Sequence, residues 1–297
     1  MDYSKMNLPD GFLKEEVICD YKVSEKNKKI MAIELDLAQK LVDVCTENDI
    51  TIFAYAGTML GAIRHKGFIP WDDDMDFAIL AKDLPKLEKL AKEFTYPYFL
   101  QTAKTDKKYF CGYARLRNSE STGRINWHKS NEYNNGIYVD IYVLNGLVDD
   151  SRKLKAQIAR RDFVQKLLNM YYSDLERTSW NQLITTCLKY TLLKLIPYES
   201  LVDVYRRILS KYDDSANKYT VLTHYMDVVQ KCWCYKEDVQ KVIFVPFENT
   251  TIPVPENYTS YLTHHYGDYM QLPKVEERGI WHESAIFFEP DIAYKDT

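Results

Sequence analysis

The chain has 297 residues, 46% of them hydrophobic and 28% charged, with a net charge of −4. That length suits one large domain, or a domain with a helical appendage. The near-balanced charge excludes a bulk basic field of the kind that recruits nucleic acid, so local cations must do any phosphate work. No apolar run reaches membrane-spanning length. The nearest, 182–196, carries Lys189 and Lys194 and reads as a core-facing helix rather than an interfacial one.

After an N-terminal arm (1–24), apolar residues at Ile30, Ile33, Leu35, Ala38, Leu41, Val42 and Cys45 recur at helical spacing and predict a helix over 25–47. A strand at 50–55, a Gly57-Thr58 turn, a short helix from Met59 to Ile63 and a strand at 75–80 follow. Residues 84–94 read as a helix over the sheet, and 98–101, 110–117 and 137–143 as strands. These make a catalytic core over 25–148. Asp149-Asp150-Ser151 marks a boundary to helices from 151 through Tyr212. Extended patterning returns at 242–255, with a short helix at 257–266. The expected fold class is α/β (α+β), a mixed sheet flanked by helices, with 149–297 sharing the core and completing the site.

The N-terminus lacks a charged region followed by an apolar stretch, so no signal peptide is expected. Six cysteines, at 19, 45, 111, 187, 232 and 234, form no CxxC pair or framework spacing. Reduced thiols and a cytoplasmic location are the expectation.

The chemistry concentrates in residues 55–80. Alternation along a strand puts Asp74 and Asp76 on one face with Ala78. Two carboxylates so close repel unless a cation or proton lies between them, and hard oxygen ligands suit Mg²⁺ or Mn²⁺. A merely solvated acidic turn, Asp72-Asp73-Asp74, is the alternative. Asp140, in the middle of the apolar strand at 137–143, is expensive to bury unless paired, protonated or metal-bound, and is the third carboxylate of interest. Gly57 allows close backbone approach at a helix N-terminus, where Thr58 can cap the helix or donate to a phosphate. Arg64-His65-Lys66 puts cations in the last turn, where the helix dipole favours them; Arg64 equally suits a phosphate. Arg115 and Arg117 share a strand face, either over a phosphate or as an edge pair. His264-His265 lacks ligand-spaced partners, and Cys232-Trp233-Cys234 has the wrong spacing for zinc or redox work.

The stretch Tyr55–Ile79, the strand Gly136-Ile-Tyr-Val-Asp-Ile-Tyr142, and Tyr266-Gly-Asp-Tyr-Met-Gln-Leu-Pro273 followed by Arg278 and His282 together resemble the LicD family of phosphocholine transferases. The resemblance runs from about residue 30 to about 285. It implies a nucleotidyltransferase-like fold, related to the fukutin-type phosphotransferases, in which Gly57-Thr58, Asp74, Asp76 and Asp140 fill the places of the glycine turn and three acids. Thr58 stands where many members have Ser, and Asn145 where similar proteins often carry Asp.

What the resemblance implies in function is transfer of phosphocholine from CDP-choline to a hydroxyl of a cell-surface glycan, such as a teichoic acid or lipopolysaccharide precursor, with release of CMP. Asp74, Asp76 and Asp140 would hold Mg²⁺ (or Mn²⁺), Asp140 or Asp73 would take the hydroxyl proton, and Arg64, Lys66 or Arg115 would stabilise phosphoryl oxygens. Arg278 and His282 are either a helix-face pair or contacts to phosphate or acceptor. Trp71, Tyr138, Tyr142 and Trp281 are candidates for a cation–π cage around choline, or simply packing. Polyol-phosphate transfer, true nucleotidyl transfer and a catalytically silent glycan- or nucleotide-binding protein are the alternatives. A lipid-linked acceptor would call for peripheral membrane contact.

Overall fold

The computed structural model describes residues 1–125, 132–172, 191–279 and 286–297. An N-terminal hairpin of β1 (Glu16–Ile18) and β2 (Tyr21–Val23) leads into α1 (Glu25–Glu47). The Ser24 hydroxyl accepts from the Asn27 N–H and so caps α1, with Glu25 adding favourable charge in the first turn. Both ends of this helix fall where the apolar spacing predicts.

β3 (Ile52–Ala54), α2 (Ala56–Arg64), β4 (Asp76–Leu80), α3 (Leu84–Lys89), β5 (Tyr98–Gln101), β6 (Ala114–Asn118), β7 (Thr122–Ile125) and β8 (Ile137–Leu147) come next. Beyond them lie α4 (Ser151–Tyr171), α5 (Tyr198–Leu209), β9 (Lys218–Thr220), α6 (Met226–Lys231) and β10 (Trp233–Tyr235). The chain closes with the hairpin β11 (Val242–Phe247) and β12 (Thr250–Pro255), then α7 (Tyr258–Tyr266) and β13 (Ile286–Glu289), which pairs with β7. The segment 182–190 of the expected helix at 182–196, and with it Lys189, lies outside the described residues.

β8 organises a mixed seven-stranded sheet because it is long enough to pair with three strands. Ile137–Ile141 face β6, Asp140–Leu144 face β4 in the sheet's parallel pair, and Asn145–Leu147 face β9. The faces then segregate by residue parity. Phe77, Ile79, Leu116, Val139 and Ile141 join Ile30, Ile33, Leu37 and Leu41 of α1 in one buried core. Asp76, Arg115, Arg117, Tyr138, Asp140 and Tyr142 belong to the opposite parity.

α4 and α5 build a second apolar cluster, in which Leu154, Ile158, Leu168, Leu201, Val202 and Tyr205 pack with Leu147, Leu222 and Val229. The end of β8 joins the two. The Gly146 N–H donates to Asp213 Oδ1 at 2.6 Å, and the Asn145 amide reaches the same carboxylate at 3.3 Å. A Cβ at Gly146 would lie 2.5 Å from the Tyr212 carbonyl, so only glycine allows this approach. Position 145 therefore works as an amide donor to a neighbouring acid. Among the described residues, no helix is long and apolar enough to cross a membrane.

Candidate active site

Register builds the floor of the site. Asp76 on β4 lies opposite Asp140 on β8, Asp140 opposite Arg115 on β6, and Arg115 opposite Gln101 on β5, one polar row across four strands. Arg115 is buried and donates from Nε to Asp140 Oδ1 at 2.5 Å and from Nη2 to Oδ2 at 3.4 Å. It also donates to the Tyr109 and Tyr113 hydroxyls. Burial works against its charge, but Asp140 and the surrounding tyrosines outweigh that and hold the guanidinium well above its usual range. Arg115 is thus committed to Asp140 and not offered to a phosphate, because the register places the two directly opposite. Tyr138 lies under the guanidinium groups of Arg115 (4.0 Å) and Arg117 (4.6 Å), 7% exposed. A ring already covered by two internal cations is no cage for an external one. Arg117 donates to Gln101 Oε1 and the Gly136 carbonyl in the interior. Tyr142, only partly buried, packs with Tyr55, Tyr113 and His224.

Asp76 is the residue whose environment is least compensated. Its Oδ1 is buried with no hydrogen-bond partner among the described residues. Burial first, then the charges of Asp74 and Asp140, push its carboxyl well above the usual range. Its backbone N–H donates to Thr58 Oγ1 at 2.8 Å, and its carbonyl accepts from the Tyr55 N–H at 2.8 Å. Thr58 therefore ties α2 to β4. It does not cap α2, which starts earlier than the sequence suggests, with Tyr55 at the N-cap.

The strand begins at Asp76, so Asp74 sits in the preceding turn rather than on its face. Among the described residues, the carboxylates whose ligand atoms all lie within 4.8 Å of one another are Asp72, Asp73 and Asp74. The expected trio of Asp74, Asp76 and Asp140 is not drawn together in this way, since Asp140 leans on Arg115. Gly57 matters here: a Cβ on it would stand 2.6 Å from Asp72 Oδ2, so its absence lets the carboxylate approach the N-terminus of α2. Ala56, at the first position of α2, takes φ +44°, a strained conformation for a residue with a side chain.

These acids open into a cleft of about 890 Å³ lined by Gly57, Arg64, Trp71, Asp72, Asp74 and the loop from Tyr266 to Glu277. Arg64 donates from Nη1 to the Tyr269 and Gln271 carbonyls and from Nε to His65 Nε2 at 3.0 Å, so it pins the loop as well as facing the cleft. Burial, Arg64 and Arg278 push His65 down to about 4, which makes it a neutral acceptor rather than a third cation. Trp71 is 6% exposed, and the guanidinium of Arg278 lies 4.8 Å from its ring centre. Arg278 also donates to the Pro273 carbonyl and, at 2.5 Å, to that of Cys19. It fastens the loop to the N-terminal arm and so positions the cleft wall. Lys66 is exposed, takes φ +57° and is not among the lining residues. Trp281 and His282 lie outside the described residues.

Periodicity passed over one residue. Glu34 falls four positions from both Ile30 and Ala38, on the buried stripe of α1, and is 1% exposed. Burial and the charges of Asp74, Asp73, Asp72 and Asp76, in that order, push its carboxyl well above the usual range. A charged residue in phase with an apolar stripe was the available signal.

Residues 49–168, which contain the turn, both strands carrying Asp76 and Asp140, and Arg115, match the family described as LicD/FKTN/FKRP, nucleotidyltransferase domain. Over this segment the chain is similar to the LicD family. It is 25% identical over 246 residues to the lipopolysaccharide cholinephosphotransferase LicD of Haemophilus influenzae, covering 79% of this chain and 88% of that one. An uncharacterized protein of Rickettsia prowazekii is 34% identical over 82 residues, 28% of this chain and 30% of the relative. One from Rickettsia typhi is 36% identical over 75 residues, covering 25% and 23%.

Proposed function

We propose that this chain is a metal-dependent phosphotransferase that moves phosphocholine from CDP-choline to a hydroxyl of a cell-surface glycan precursor and releases CMP. The observation that carries the reading is the acid-lined cleft at the N-terminus of α2, set in a chain similar over most of its length to a lipopolysaccharide cholinephosphotransferase.

The donor set fits a hard divalent cation. It consists of carboxylate oxygens, three of them mutually within 4.8 Å, beside a buried Asp76 oxygen with no hydrogen-bond partner among the described residues. Asp72, Asp74 and Asp76 would hold Mg²⁺ or Mn²⁺, which when bound supplies charge neutralisation on the donor's diphosphate. The chain's own residues do the rest. The N-terminus of α2 and Arg64 face the diphosphate, and Arg115 keeps Asp140 in place beside Asp76. The acceptor oxygen forms its bond to the choline-bearing phosphorus as the bond from that phosphorus to the CMP oxygen breaks. The hydroxyl proton passes to a carboxylate of the cluster.

Cys19, Cys45, Cys111, Cys232 and Cys234 are free thiols, which supports a cytoplasmic location. A lipid-linked acceptor would bring the chain to the inner face of the membrane.

The test is CMP release from CDP-choline with Mg²⁺, with and without extracted glycan precursor, beside an Asp74→Ala/Asp76→Ala control. Acceptor-dependent CMP that vanishes in the control supports the reading. Release from CDP-polyols alone would move the substrate, and pyrophosphate from nucleoside triphosphates would replace transfer of phosphocholine by nucleotidyl transfer.

A further inference from the structure

α4 orders its charges against its own dipole. Arg152, Lys153 and Lys155 stand at its start, with no acid in the first turn and no cation in the last, whereas the dipole favours the reverse. Arg152, Lys153, Lys155, Arg160 and Lys166 are all exposed. At about 100° per residue they share one side of the helix, opposite Leu154, Ile158, Val164 and Leu168, which pack into the second apolar cluster. Among the described residues none of the five is in a salt bridge, because the neighbouring acids are engaged elsewhere. Asp150 accepts from the Arg152 and Lys153 N–H groups, Asp149 pairs with Lys218 at 3.6 Å, Asp162 with Arg161 at 2.6 Å, and Asp213 accepts from the Gly146 N–H. Arg152, Lys153 and Arg160 meet Lys211 around a groove of about 420 Å³ whose lining holds no acid. Gln157 fixes its walls, donating from Nε2 to the Ile208 and Leu209 carbonyls at 2.8 and 3.0 Å.

Phe163, on the same side of α4, is 64% exposed. Leu192 and Leu195 are exposed as well, where the Tyr171 hydroxyl donates to the Ile196 carbonyl and holds the chain at the end of α4. We propose that this face of α4 docks on an anionic phospholipid surface, with a headgroup phosphate seated in the groove among Arg152, Lys153, Arg160 and Lys211. A soluble polyanion would satisfy the cations but leave the apolar side chains in water, whereas a bilayer surface takes both. The chain's net charge of −4 is repelled by such a surface, so the cationic face decides which side approaches. The inference deepens the transferase reading above and rests on it for the need to meet a lipid-linked acceptor.

The test is co-sedimentation of the full chain with phosphatidylcholine vesicles, with and without phosphatidylglycerol, over a range of salt. Binding is expected only with phosphatidylglycerol, weakening as salt rises. Arg152→Gln/Lys153→Gln/Arg160→Gln/Lys211→Gln should lose about fivefold per cation, several hundredfold in all, with a melting temperature no lower than wild type. Lys14→Gln/Lys89→Gln/Lys92→Gln/Lys241→Gln, of equal net charge, should bind nearly as wild type does, and Phe163→Ser should bind more weakly with the salt dependence unchanged. If the first variant does not fold, Arg152→Gln/Arg160→Gln carries the comparison. No binding to phosphatidylglycerol vesicles, equal binding to neutral ones, or equal losses in the two fourfold variants overturns the proposal. So does binding of RNA or of soluble glycerol phosphate through these residues without binding to vesicles. The assay reads binding alone, so failure of CDP-choline turnover leaves its result standing, and failure to bind vesicles leaves the acid-lined cleft untouched.

Discussion

Asp76→Asn separates folding from function at one atom. The fold buries this carboxylate beside Asp140 and near Asp74, with Oδ1 lacking a hydrogen-bond partner among the described residues. Asn keeps the shape and removes the charge that Asp74 and Asp140 oppose. Asn remains buried and unsatisfied, so what it removes is the like-charge repulsion, and in metal-free solution the variant should be at least as stable as wild type. At roughly 2–4 °C per kcal/mol for a domain of this class, thermal unfolding resolves the difference. With MgCl₂ the order should reverse. At a cation concentration 100-fold above its dissociation constant the wild type gains about 2.7 kcal/mol, roughly 5–10 °C, and the variant little of it. CMP release should be lost. A variant that is destabilised without metal, shifts like wild type with it and still turns over would refute the assignment of Asp76 to the cation site.

Arg115→Met should act in the opposite sense, since it leaves Asp140 buried without its cation; a loss of about 3–5 kcal/mol is expected in urea unfolding, part of it recovered by adding Asp140→Asn. Gly57→Ala puts a Cβ 2.6 Å from Asp72 Oδ2, so Asp72 must move; the helix itself tolerates alanine, and CMP release should fall far more than stability does. His65 ordinarily titrates at 6.5 and is pushed down to about 4 here by burial, Arg64 and Arg278. The unfolded chain therefore takes up the proton first, and stability is lost as pH falls from about 6.5 to about 4. His65→Gln should flatten that part of the stability–pH curve, and an unchanged slope would show that His65 is not the group responsible.

Local periodicity determined a good part of this protein. The apolar spacing of 25–47 set α1 to the residue, because the same stripe that makes the helix amphipathic makes it pack. Strand parity put Asp140, Tyr138 and Tyr142 on one face and Val139 and Ile141 on the other, since alternation is a property of the backbone alone. The acids of 72–76 and Asp140 were visible as candidates for the same reason. Partner choice was decided only by tertiary structure, because it depends on register between strands far apart in the chain and on which segment folds over which. Arg115 met Asp140 through the β6–β8 register, 25 residues apart. Arg278 met Cys19 across 259 residues and became a strut of the cleft wall. Asp74 left the strand because the ladder starts at Asp76. Glu34, read locally as one polar residue in an amphipathic helix, became a buried carboxyl once that helix was packed into the core, with Oε2 lacking a hydrogen-bond partner among the described residues.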